Sequence, residues 1–142
     1  MQTLAYILEV IILIISLFLF GRFIVDRYLR WSEANRRAGE LLRAVLTHEQ
    51  YGQLIQQGYV DIPSPRDPRR IYRVPRAPGL VRVMEEERRK ASLCLQPFKW
   101  VPDADIVVIH KLMIEADEQT YLQKANVIGP VWDPVWDPYN IR

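Results

Sequence analysis

Cysteine is nearly absent from this chain. Cys94 is the single one, which excludes an internal disulfide and any cysteine-built zinc centre. Histidine is almost as scarce: there are two, His48 and His110, and zinc sites want three or four Cys/His ligands at short spacing. The six glycines are scattered, so no glycine-rich phosphate loop can be drawn. Neither sign of charge dominates. A formal net charge of +2 with thin aromatic interleaving does not describe a nucleic-acid binder. No Ser/His/Asp arrangement stands out, since any serine could be drawn with either histidine. The chain is therefore expected not to be an enzyme, with no catalytic residue, cofactor, metal or nucleic acid. His110 and Asp117, which could share a helix face, come nearest to an acid–base pair. His110 reads better as a hydrogen-bonded residue at the edge of a packed helix, and Cys94 as an inert buried thiol.

What the chain does have is one long apolar stretch, Leu4 to Val25, LAYILEVIILIISLFLFGRFIV. Crossing a bilayer core takes about 20 apolar residues in a helix, and this stretch is expected to be a single retained transmembrane anchor. No Lys or Arg precedes it, whereas Arg22, Arg27, Arg30, Arg36, Arg37 and Arg43 lie at its end and beyond. The positive-inside rule then predicts a single-pass protein of the cell inner membrane, N-terminus outside and C-terminal domain in the cytoplasm. Tyr6, Tyr28 and Trp31 suit interfacial belts, and Arg22 can snorkel to headgroups. Glu9 either reaches the outer interface or meets a partner helix. The arginine-rich flank either lies on anionic lipid headgroups, at about 1 kcal/mol per charge, or forms a solvated stalk.

Four segments follow: an anchor over 1–25, a basic juxtamembrane helix or stalk over 26–46, a small α+β domain over 47–126, and a tail over 127–142. The stalk helix is expected to kink or break near Asn35 to Gly39. Thr47 and Gln50 form a capping box, with Leu46 and Tyr51 placed for a hydrophobic staple. Gly58 suits the left-handed position that ends the helix over 47–57. Tyr59 to Pro63 alternates as a strand. Ile71 to Val74 and Leu80 to Met84 read as a hairpin, and Ala91 to Gln96 as a further strand. The run EEERRK over 85–90 reads as a solvated charged loop. Asp103 or Asp105 is expected to cap a helix running to Ala125. Its predicted apolar stripe is Ile106, Ile109, Met113, Ala116 and Thr120, broadened by Leu112, Ile114, Tyr121 and Leu122, with Glu115, Asp117, Glu118, Gln119 and Lys124 outward. The predicted fold is thus one N-terminal transmembrane helix plus a cytoplasmic α+β domain of a helix, three or four short antiparallel strands and a packed helix.

The tail holds V-W-D-P twice in succession. Proline disfavours helix in the residue before it, so the tail should be extended. Trp132, Trp136 and Tyr139 are residue types that anchor interfaces, and docking on a neighbouring subunit or on the chain's own domain is expected.

In topology the chain resembles single-span accessory subunits of bacterial energy-converting membrane complexes. One is the purple-bacterial reaction-centre subunit with an outside N-terminus, one span and a cytoplasmic domain. The likeness implies a non-catalytic accessory subunit of a photosynthetic or respiratory complex. Its partners would be other subunits, met through the span and tail, and anionic headgroups. The alternative is a membrane-tethered regulatory or anion-binding domain, with Arg69, Arg70, Arg73 and Arg76 taking the anion.

Overall fold

The computed structural model describes residues 2–95 and 101–128. The elements are α1 (Gln2–Val45), α2 (His48–Gln57), β1 (Tyr59–Pro63), β2 (Arg70–Pro75), β3 (Val81–Glu85), β4 (Arg88–Cys94), α3 (Asp103–Lys124) and β5 (Asn126–Ile128). They fall into two compact units, Met1–Arg37 and Ala38–Arg142, described here one at a time.

The first unit corrects the central expectation. Among the described residues, no helix is long and apolar enough to cross a membrane. α1 has length, at 44 residues, but its apolar run is short between charges. It is continuous only from Val10 to Phe20, with Ser16 inside, and lies between Glu9 and Gly21-Arg22; Asp26 and Arg27 follow closely. Runs of that size more often belong to buried or interfacial helices than to a span. The likeness to single-span subunits of photosynthetic or respiratory complexes falls with the span. The expected break near Asn35 to Gly39 is also absent, and α1 continues through it. Toward the end of this unit Glu33 accepts from Arg36 at 2.8 and 2.9 Å and from Arg37 at 2.8 Å. The Arg36 bond, then the Arg37 bond, lower the Glu33 carboxyl to about 2.

The second unit is an α+β domain with a five-stranded antiparallel sheet in the order β1-β2-β3-β4-β5. β1 to β4 follow one another through short connections, whereas β5 reaches the edge of β4 only after the chain has passed through α3. The capping box is present: Gln50 N–H donates to Thr47 Oγ1 at 3.2 Å, and the Gln50 side chain accepts from Thr47 N–H at 3.3 Å. Gly58, at φ 76°, ends α2 in the left-handed conformation and donates to the Leu54 carbonyl, a backbone state that costs a Cβ-bearing residue about 1–2 kcal/mol.

Alternation in the strands decides the two faces of the sheet. Val60, Ile62, Tyr72, Val74, Val81, Val83, Ala91 and Leu93 point one way. They form a single buried cluster with Leu42, Leu46, Leu54, Val107, Ile114, Tyr121 and Leu122. Burying each such aliphatic side chain contributes ~1.5–3 kcal/mol. The other face carries a row in direct cross-strand register: Asp61, Arg73, Arg82 and Ser92, ending at Ile128.

Two segments depart from expectation here. The charged run over 85–90 is not a loop. Arg88 to Lys90 belong to β4, and the turn is only Glu86 and Glu87, at φ 50° and 65°. Two central residues at positive φ suit a tight two-residue hairpin, usually built with Asn-Gly; glutamates there concealed it. Residues 126–128 add β5 to the sheet edge through Ser92–Ile128, Leu93–Val127 and Cys94–Asn126 pairs. This makes five strands where three or four were expected, and Cys94 ends β4, half-buried, rather than lying mid-strand.

α3 departs further. Pro102 stands at its N-cap with no side-chain capping bond, so neither Asp103 nor Asp105 caps it. Asp117 breaks it, at φ −155° and ψ 85°. The Asp117 carboxylate caps the following turn, accepting from Thr120 N–H at 3.0 Å and Thr120 Oγ1 at 2.6 Å. The buried face is Val107, Val108, His110, Lys111, Ile114, Glu118, Tyr121 and Leu122: it keeps Ile114, Tyr121 and Leu122 of the predicted face and is rotated away from Ile106, Ile109, Met113, Ala116 and Thr120. Glu118 points inward.

Replacing Glu86 with Asn and Glu87 with Gly should raise the unfolding free energy by about 1 kcal/mol, because positive φ then carries no strain. Urea unfolding measures it; a fall in stability would contradict this turn geometry.

Candidate functional site

Two polar places in the second unit merit a functional reading. The first surrounds Glu118, whose side chain is wholly buried. Its carboxylate accepts from Ser64 Oγ at 2.7 and 2.8 Å, from Tyr72 OH at 2.5 Å and from Arg70 at 3.4 Å. Ser64 Oγ in turn accepts from Arg66 N–H at 3.2 Å and Asp67 N–H at 3.0 Å, which shapes the loop after β1. Arg70 also reaches Glu85 at 3.1 Å. Burial, then the Glu118 hydrogen bond, push the Tyr72 phenol far above its usual range. Tyr72 meets Tyr121 edge-on at 5.8 Å, and Tyr121 OH pairs with His110 Nδ1 at 2.9 Å. Burial pulls the His110 imidazole down to about 4, so it is neutral near pH 7.

This network is saturated and closed. Each oxygen of Glu118 has a donor, and the Ser64 proton goes to Glu118 rather than to a histidine that would activate it. His110 does not meet Asp117, which is exposed and bonded to Thr120. The arrangement ties α3, β2 and the 64–67 loop together. Among the described residues no group of three or more His, Cys, Asp or Glu could hold a metal ion.

The second place is an open groove of about 500 Å³ over the other face of the sheet. Its lining includes Gln57, Gly58 and Tyr59 together with Pro75, Gly79 and Leu80. Arg73, Arg82, Arg89 and Ser92 complete the lining, with no carboxylate among them. Arg73 is neutralised from the rim: it forms a two-point pair with Asp61 at 2.8 Å and lies over the Tyr59 ring at 4.2 Å. Gln53 also donates to Asp61, at 3.1 Å. Arg82 and Arg89 are exposed, and among the described residues neither has a hydrogen bond or ion pair.

Of the four arginines expected to hold an anion, Arg73 alone lines this groove. Arg69 turns to Asp67 at 3.4 Å, Arg70 serves Glu85 and Glu118, and Arg76 is exposed with its backbone N–H on the Gly58 carbonyl at 2.9 Å. Arg82, Arg89 and Ser92 were not singled out by sequence. The available signal was strand alternation, which sets Arg82 opposite Val81 and Val83. In α1, Glu9, Arg22 and Tyr28 are exposed and Trp31 is half-buried. Trp132, Trp136 and Tyr139 lie outside the described residues. Comparisons with protein-family models, characterised proteins and solved structures give no match.

Glu118→Ala should destabilise the domain by about 3 kcal/mol, since it takes one of two carboxylates from a half-buried guanidinium and strands two buried hydroxyls; a loss below 1 kcal/mol in urea unfolding would count against the tie. A pH effect follows from His110. Its folded value, about 4, lies below the ordinary 6.5. Its contribution is therefore fully present above pH 6.5 and is lost as pH falls toward 4. His110→Gln should flatten the fall in unfolding free energy across that window, read by urea titrations at successive pH values.

Proposed function

We propose that this chain is a non-catalytic accessory subunit of a larger protein assembly, held there through the apolar stretch of α1. One observation supports the reading. The large hydrophobic side chains described from Val10 to Val25 are all exposed, from 44% at Val10 to 67% at Leu17. The exposure runs round every side of the helix. Isolated soluble chains rarely present contiguous apolar patches beyond a few hundred Å², and covering such surface is favourable by roughly 25 cal/mol per Å². A helix apolar all round belongs in the middle of something larger. Several partner helices packed about it meet that need better than one groove, which would cover one side only.

A photo-crosslinking amino acid at Ile14 or Leu17, introduced in the native cell, should give a discrete adduct containing a second, different polypeptide. The same probe at Arg66 should give none. Leu17→Glu should release the chain from that partner in size-exclusion chromatography. Adducts with lipid alone, or only with another copy of this chain, would overturn the reading.

A further inference from the structure

The row across the open face of the sheet contains an unfavourable juxtaposition. Arg73 and Arg82 are direct cross-strand partners, and like charges so placed destabilise a sheet by roughly 0.2–1 kcal/mol. Asp61 answers Arg73 with both carboxylate oxygens. Nothing among the described residues answers Arg82 or Arg89. Arg89 pairs with Met84, two residues along β3 from Arg82, where the register shifts between Val83 and Met84. The bulge thus brings a second unanswered cation beside the first.

Ser92 supplies the other half of the argument. It is the register partner of Arg82 and only 7% exposed. Its hydroxyl has no protein partner among the described residues, yet it is not sealed away, since Ser92 lines the groove. The hydroxyl is thus free to donate to a ligand oxygen that enters the groove, with no protein acceptor to give up. Two guanidinium groups, which can only donate, and a hydroxyl that can donate converge on a groove whose described lining holds no carboxylate. That chemistry matches the oxygens of a phosphate group, for which arginine offers forked, charge-assisted hydrogen bonds.

We propose that this groove binds the phosphate monoester group of a small anionic ligand, with Arg82 and Arg89 as its charge partners and the Ser92 hydroxyl as a donor. Arg73 remains with Asp61 and shapes the rim against Tyr59. The ligand's source is either a soluble phosphorylated molecule or a phosphatidate-type headgroup; both carry the same group.

Calorimetric titration of the full chain in nonionic micelles tests this with two probes, glycerol 3-phosphate and dihexanoyl phosphatidate. Saturable binding of at least one is expected. Arg82→Gln or Arg89→Gln should weaken it by about tenfold each and Ser92→Ala by about threefold, with Arg66→Gln unchanged. Equal affinity for both probes identifies a soluble ester as sufficient; phosphatidate binding about tenfold tighter or more identifies the lipid headgroup. Without ligand, Arg82→Gln should raise the melting temperature, because it removes the Arg73–Arg82 repulsion. The ligand should raise it in the wild type and not in Arg82→Gln. No saturable binding of either probe, binding that survives both arginine substitutions, or an Arg82→Gln protein that melts lower without ligand would each overturn the proposal.

Discussion

The domain depends on one buried carboxylate. Glu118 lies among apolar side chains, where an unanswered charge would cost several kcal/mol. Its donors come from segments far away in sequence: Ser64 in the loop after β1, and Arg70 and Tyr72 at the start of β2. α3 can therefore pack in only one register against the sheet. A shift of one residue would move Glu118 off its donors and leave the Tyr72 hydroxyl and the Arg70 guanidinium short of an acceptor. The break at Asp117 belongs to the same constraint. It lets the chain change direction just before Glu118, and the Asp117 carboxylate satisfies Thr120 so that the last turn can begin again.

With that register held, the faces of the sheet diverge. One is closed by α2, α3 and the end of α1, and its side chains are aliphatic or tyrosine. The other remains open, and there charge is arranged across strands. Asp61 with Arg73 is a satisfied pair, while Arg82, Arg89 and Ser92 are donors facing a groove. The short turn at Glu86 and Glu87 joins β3 directly to β4. It lengthens the β3–β4 pairing enough to bring Arg88 and Arg89 into β4, and with the register shift beside it Arg89 and Arg82 line the same groove. The apolar part of α1 belongs to the other unit, where its large side chains are exposed.

Much of the local structure was legible. Thr47, Gln50 and Gly58 announced α2, because capping is decided within four residues and by a single φ angle. The strands at 59–63 and near 71–74 and 80–84 were readable from alternation over a half-buried surface. The reading failed where a local rule met a distant partner. Glu118 was assigned to solvent because carboxylates usually are, and nothing nearby in sequence reveals that three donors wait 46 to 54 residues upstream. EEERRK reads as a solvated loop because charge hides a hairpin that Asn-Gly would disclose. The transmembrane expectation rested on summed apolar length over 4–25, although the continuous run is shorter and lies between Glu9 and Arg22.

The sequence by itself determined the elements whose causes are local: a long apolar helix, a capped short helix, and strands with one aliphatic and one charged edge. Tertiary structure decided which charges are satisfied. Arg70 and Arg73 look alike in RRIYR, yet one is consumed by buried and rim carboxylates and the other by Asp61. Arg82 and Arg89, unremarkable in sequence, are left facing open space. Register and strand order decide this, since an ion pair needs atoms within about 4 Å, and only the folded chain brings residues from separate strands that close.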